Sequence, residues 1–159
     1  MNIWIVYDSK FGNNKQIADS LAGLLNEGND VHVYHAKKVK PKTVLNGNAD
    51  MLLFGGPLRA GQISFTIKSW VNKYAKMLKA KNAKLDKVAA WCTHGKPTPD
   101  TLSKFSWDNI ALKWKALIDN VPANNKTDVE SIIVEGMEGP LEAGWKVLIE
   151  KFSNRIMAA

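Results

Sequence analysis

The apolar positions along this chain change period in a regular alternation. Ile3-Trp4-Ile5-Val6-Tyr7 is an unbroken run rich in β-branched and aromatic residues, the pattern of a strand buried on both faces. Ile17, Leu21, Leu24 and Leu25 then recur at helical spacing within 13–27, and Gly28 stands where a helix-terminating glycine belongs. Asp30–His35, with Val31 and Val33, predicts a second strand, and Met51–Phe54 a third. Ile67, Trp70, Val71, Tyr74, Met77 and Leu78 form an i, i+3, i+4, i+7 stripe that predicts a helix over 64–79.

Val88–Cys92 reads as a fourth strand. Thr98-Pro99-Asp100 has the order of an N-cap, a proline at the first helical position and a first-turn acid. It opens a long helix, broken near Ser106, whose buried side carries Leu102, Phe105, Ile110, Trp114, Leu117 and Ile118. Ile132–Val134 is the fifth strand, and Trp145, Leu148, Ile149, Phe152 and Ile156 mark a closing helix. The polar, basic stretch 37–48 has room for one helical turn around Val44–Leu45.

Five strands alternating with helices imply an α/β fold: a doubly wound five-stranded parallel sheet with helices on both faces. The length of 159 residues suits one domain, residues 1–159. In such sheets a ligand lies outside the carboxyl ends of the strands, where the strand order reverses. The segments to weigh are therefore those after strands one, three and four.

The first is Asp8-Ser9-Lys10-Phe11-Gly12-Asn13-Asn14, a short turn ending at a helix start. Free backbone N–H groups and the positive end of the helix dipole make such a place fit for an anion. Ser9 and Asn14 offer side-chain donors, and Gly12 permits close approach of the backbone. No GxGxxG or GxxxxGK[ST] is present, so a single phosphate fits better than a dinucleotide or triphosphate. An ordinary strand-to-helix turn with an Asn cap accounts for the same residues.

The second segment, Gly55-Gly56-Pro57-Leu58-Arg59-Ala60-Gly61, has the composition of special backbone geometry and would suit a flat ligand. Arg59 would set a positive charge there, unless it is only a solvated surface residue. The third, Trp91-Cys92-Thr93-His94-Gly95-Lys96-Pro97, offers Thr93 and Gly95 for backbone contacts to a ring edge. His94 is either a donor or a solvated loop histidine. Cys92 reads as a buried strand-end thiol and Trp91 as core.

The three segments together resemble the flavodoxins. Ile5 to Ala18 is similar to their signature of an apolar strand, a Ser/Thr-x-Thr-Gly-Asn-Thr phosphate loop and a helix, with Ser9, Gly12 and Asn13 in register. Phe11 and Asn14 stand where threonines usually bond the phosphate. The resemblance covers the whole chain and is closest to the short-chain members. It implies non-covalent FMN, with the phosphate in Ser9–Asn14 and the isoalloxazine between 57–61 and 93–96. The implied contacts are Ser9, Lys10, Phe11, Gly12, Asn13 and Asn14, then Pro57, Leu58, Arg59, Ala60 and Gly61, then Thr93, His94 and Gly95. Members of the family flank the ring with aromatics from these two segments. Here Leu58 and His94 take those places, so the flavin is expected to be held less tightly.

The resemblance implies an electron carrier shuttling between redox partners rather than an enzyme turning over a substrate. An FMN-dependent oxidoreductase of the same fold, like the protoporphyrinogen oxidases or quinone reductases, is the alternative. A receiver domain is excluded by Gly55-Gly56 where the phospho-acceptor Asp would stand. No paired carboxylates or G-x-S-x-G support hydrolytic chemistry.

Charge alters this picture. Lys and Arg number 22 against 15 Asp and Glu, a net +7, whereas flavodoxins are typically acidic. Lys37, Lys38, Lys40 and Lys42 occur without an acid, and 68–87 holds seven lysines against Asp86. Residues 128–150 reverse the sign. A lysine-rich solvated face explains this, and so does a docking surface for an acidic redox protein. Nucleic acid is disfavoured, since only Arg59 and Arg155 are arginines and no aromatic-plus-Arg platform is present. Arg59 beside the ring predicts a less negative potential than in acidic relatives. One cysteine excludes a disulfide framework and a multi-cysteine metal site. No apolar run approaches the ~18 residues of a membrane span, and no signal peptide is read at the start. A monomeric cytoplasmic protein is expected.

Overall fold

The computed structural model describes residues 1–96 and 107–159, with Trp107 described in its backbone alone. The predicted cap Thr98-Pro99-Asp100, and Pro97, Leu102, Phe105 and Ser106, lie outside the described residues. The elements are β1 (Asn2–Tyr7), α1 (Asn13–Leu25), β2 (Asp30–His35), α2 (Pro41–Asn46), β3 (Met51–Arg59), β4 (Gln62–Ile63), α3 (Phe65–Ala80), β5 (Leu85–Gly95), α4 (Trp107–Asn120), β6 (Ala123–Lys126), β7 (Glu130–Val134) and α5 (Trp145–Ala158).

The strands form one sheet in the order β2-β1-β3-β5-β6, all parallel along this path. The fold class is the expected one, an α/β sheet between helices. Alternation along β1 divides the core into two layers. Ile3, Ile5 and Tyr7 face α1 and α5, packing with Ile17, Leu21, Ile149, Phe152 and Ile156. Trp4 and Val6 face the other way, into the layer of Val44, Ile67, Trp70, Tyr74, Trp114 and Ile118. The predicted core of α3 and the described part of α4 is buried, apart from the half-buried Met77.

Several boundaries differ from the sequence reading. Helix α1 ends at Leu25 rather than 27, because the Asn29 side-chain amide donates to the carbonyls of Leu25 (2.8 Å) and Glu27 (3.2 Å). Gly28, with φ 72°, therefore forms the following turn instead of closing the helix. Leu24 and Leu148 are 44% and 37% exposed, so the buried stripes of α1 and α5 are narrower than predicted.

The fifth strand position is filled by two pieces. β7 pairs with β5 as expected, but polar Ala123-Asn124-Asn125-Lys126 forms β6 below it, against the lower part of β5. Its side chains carry no apolar alternation, so only the backbone ladder identifies it. The strands β3 and β5 also run further than their apolar cores. Gly55 to Arg59 is strand, and β4 folds back on it through Leu58↔Ile63 and Arg59↔Gln62. Ala60 (φ 49°) and Gly61 (φ 73°) make the two-residue tip, where both central positions need a left-handed backbone. The expected loop 55–61 is thus a β-hairpin.

Candidate functional site

A cavity of about 610 Å³ opens at the carboxyl ends of β1, β3 and β5. Parallel strands leave their carboxyl ends to the turns that precede the helices, so three sequence-distant segments meet there. The wall after β1 is Ser9, Lys10, Phe11, Asn13 and Asn14. The hairpin gives Pro57, Leu58, Arg59 and Ala60, and the end of β5 gives Thr93, His94 and Gly95.

The start of α1 leaves first-turn N–H groups without a side-chain partner, a place where an anion can be held. Gly12 is its N-cap residue at φ 91°, a backbone that a side chain rarely adopts, and no side-chain cap satisfies the first turn. The Gly12 N–H donates to Ser9 Oγ at 3.0 Å, which folds the turn and leaves the Ser9 hydroxyl hydrogen available. The Asn13 amide donates to the Glu138 carbonyl (3.2 Å), tying the turn to the segment after β7.

Asn14 is 2% exposed and has a different role from the one its sequence position suggests. Its side-chain carbonyl accepts from Trp91 Nε1 (3.0 Å), and its amide donates to Thr93 Oγ1 (2.9 Å). It lines the cavity but fastens α1 to β5. One amide hydrogen is left for a ligand. Gly12 and Gly61 do not line the cavity. Gly61 is buried, and its carbonyl accepts from Lys113 Nζ at 2.8 Å.

Behind the first turn lies a polar cluster that sequence reasoning missed. Asp8 is buried, and its Oδ2 accepts a 2.5 Å hydrogen bond from Ser64 Oγ, the N-cap side chain of α3. Arg59 is 3.9 Å from the same oxygen. The Lys37 amide donates to His35 Nδ1 (3.1 Å), and Nε2 lies 3.4 Å from both the Ser9 amide nitrogen and the Ser9 carbonyl and 3.5 Å from Asp8 Oδ1. Arg59 is thus half exposed on the cavity wall with a carboxylate beside it, not an isolated charge.

His94 is held by both ring nitrogens. A carbonyl only accepts, so Nδ1 donates to Gly95 O (2.9 Å), and Nε2 shares a hydrogen bond with the Ser131 hydroxyl (2.6 Å). Cys92 is buried, and burial, reinforced by Glu130, pushes its thiol well above the usual range, as expected of an inert core thiol. Trp91 is fully buried, as read from the sequence.

The sequence reading also omitted a fourth wall, Val134 to Met137, joined by Lys96. Lys96 pairs with Glu135 at 2.9 Å. Met137 is 90% exposed and, with Phe11 and Leu58, gives the cavity apolar surface. The turn signal in Gly136-Met137-Glu138-Gly139-Pro140, directly after the fifth strand, could have located this wall.

The residues present suit a phosphate monoester joined to a flat aromatic body. Hydroxyl and backbone donors stand at one end and apolar hairpin and loop surface at the other, within the usual ~300–1,000 Å³ of small-molecule sites. Among the described residues no helix is long and apolar enough to cross a membrane.

The family described as "flavodoxin domain" matches residues 4–109. No curated protein matches the chain. Among solved structures, a flavodoxin of Streptococcus pneumoniae TIGR4 superposes with a TM-score of 0.70 at 17% identity, covering 99% of both chains. Oxidised flavodoxin 2 of Bacillus cereus gives 0.72 at 15% identity, again over 99% of both. The rubredoxin:oxygen oxidoreductase of Desulfovibrio gigas gives 0.66 at 16% identity, over 99% of this chain and 36% of that one. These likenesses show the fold.

Proposed function

Since this chain belongs to the flavodoxin family, whose members bind FMN, we propose that it is an electron carrier holding FMN at the carboxyl ends of β1, β3 and β5. The carrying observation is the cavity whose one end is the uncapped start of α1 beside Ser9. Ser9 Oγ and the first-turn amides of α1 hold the phosphate. Such donors satisfy a dianion without a buried cation, and the helix dipole adds to them.

Pro57, Leu58 and Ala60 on the hairpin, with Thr93, His94 and Gly95 across from them, border the ring. The hairpin closes through a two-residue turn, with Leu58 opposite Ile63 and Arg59 opposite Gln62. Bound FMN supplies one- and two-electron redox chemistry at its ring. This chain's residues bind it, limit its access to water and set the charge around it. The redox partner is an acidic protein drawn by the lysine excess.

The visible absorption spectrum of the purified protein tests the reading. Flavin bands that persist through dialysis support it. A colourless protein that takes up no FMN on titration rejects it. Steady-state turnover with quinones or protoporphyrinogen, absent in a carrier, would indicate an oxidoreductase of the same fold instead.

A further inference from the structure

We propose that the exposed face of α3, with Phe65 as its apolar anchor, is the docking surface for the acidic partner. The redox character of that partner rests on the carrier reading above; the surface itself does not.

Phe65 is the first residue of α3 and is 82% exposed, beside a shallow trough formed with Lys68, Ser69, Asn72, Lys73 and Lys76. The helix has no acidic residue along its sixteen positions. Among the described residues, Lys68, Lys73 and Lys76 have no carboxylate partner, while Lys15, Lys96 and Lys115 elsewhere do. Lys73 and Lys76 are neighbours at i, i+3, a like-charge pair that does nothing to stabilise the helix. α2 packs against α3 and follows Lys37, Lys38 and Lys40, extending the same sign.

A solvated charged face accounts for the lysines but leaves a nearly bare phenylalanine among them. An aromatic anchor ringed by charge has the anatomy of an interface: the ring supplies buried area and the lysines steer a partner of opposite sign. The position is also apt. The Ser64 amide donates to the Pro57 carbonyl, so the chain leaves the cavity's hairpin wall and enters Phe65 directly. A partner seated on Phe65 stands beside that wall. Lysine without arginine on this face favours a protein over nucleic acid.

The test places a photo-crosslinking phenylalanine analogue at Phe65, and at Val147 on α5 as a control, in the full-length protein in cells. The crosslinked product is identified by mass spectrometry. The purified pair is then titrated with wild type, Phe65→Ala and the triple variant Lys68→Glu, Lys73→Glu, Lys76→Glu. The expected product is an acidic protein specific to Phe65. Its affinity falls about tenfold in Phe65→Ala and more in the triple variant, which also flattens the salt dependence. Crosslinks to nucleic acid, to a second copy of this chain or to a basic protein overturn the proposal. So does labelling at Phe65 no stronger than at Val147, or affinity unchanged in the variants. FMN uptake, followed by absorbance in the same variants, is expected to be unchanged. A protein that binds the partner but no FMN would reject the carrier reading and leave this surface standing.

Discussion

The indole Nε1 of Trp91 donates to the side-chain carbonyl of Asn14 at 3.0 Å, across 77 positions of sequence. This bond fixes the start of α1 to β5. Asn14 passes the restraint on through its bond to Thr93, so the start of α1 and the end of β5 share a single buried network at the cavity. Trp91→Phe keeps most of the apolar volume and leaves the Asn14 carbonyl without its donor. A loss of about 1–3 kcal/mol in denaturant unfolding is expected. No loss would mean that water replaces the indole.

The same indole sets the residue opposite it. A Cβ added to Gly55 would lie 2.0 Å from Trp91 Cε2. Gly55→Ala is therefore expected to destabilise by about 1–3 kcal/mol, through displacement of a ring packed on every side. Gly23→Ala, where nothing lies within 4 Å, should be neutral or stabilising in the same unfolding assay.

Alkaline pH should destabilise the fold before it affects most of the surface. Burial raises Tyr74 from 10.0 to about 12 and raises Cys92 above its ordinary 9.0. In the folded state both keep protons that the unfolded chain releases, so the unfolded state binds fewer protons and stability falls as pH rises. The contribution is fully present below about pH 9 and is lost through pH 9–12, at up to about 1.4 kcal/mol per pH unit per group. Cys92→Ala and Tyr74→Phe should each flatten the slope of melting temperature against pH in that window.

Arg59 and Asp8 should act with opposite signs on a flavin bound in the cavity. With the guanidinium half exposed and 3.9 Å from a carboxylate, their effects partly cancel. Arg59→Ala should lower the potential of the bound flavin and Asp8→Asn raise it. Each shift should be on the order of tens of millivolts, below the about 59 mV that marks a tenfold change in a one-electron equilibrium. The double variant should return toward wild type. A redox titration in which Arg59→Ala leaves the potential unmoved would reject a role for this charge.

FMN should bind less tightly than subnanomolar. Asn14 is largely committed to Trp91 and Thr93, Phe11 brings no hydroxyl, and the hairpin carries no aromatic. Titration of apo-protein with FMN, followed by tryptophan quenching, should give Kd above about 1 nM. Ser9→Ala should weaken it by about tenfold or more, the loss of a hydroxyl bonded to a charged group.

The sequence by itself determined the alternation of strand and helix, the two-faced core and the three segments that meet at the cavity. Burial is written locally: Ile3–Tyr7, Met51–Phe54 and the stripe of α3 each carry their environment in their own periodicity. Ser9, Gly12 and Asn13 mark a tight strand-to-helix turn for the same reason, since a turn is made by adjacent residues. Tertiary structure alone decided the rest. Polar β6 is a strand because β5 offers it backbone partners. The end of α1 follows from the Asn29 side chain rather than from Gly28, and Asn14 is a clamp because Trp91 lies against it. Arg59 has a counter-charge only because β1, β3 and α3 converge on Asp8. The fourth cavity wall belongs to a segment over a hundred residues from the first turn. Hydrogen bonds and ion pairs depend on what distant strands bring within about 3–4 Å, and no local periodicity encodes that distance.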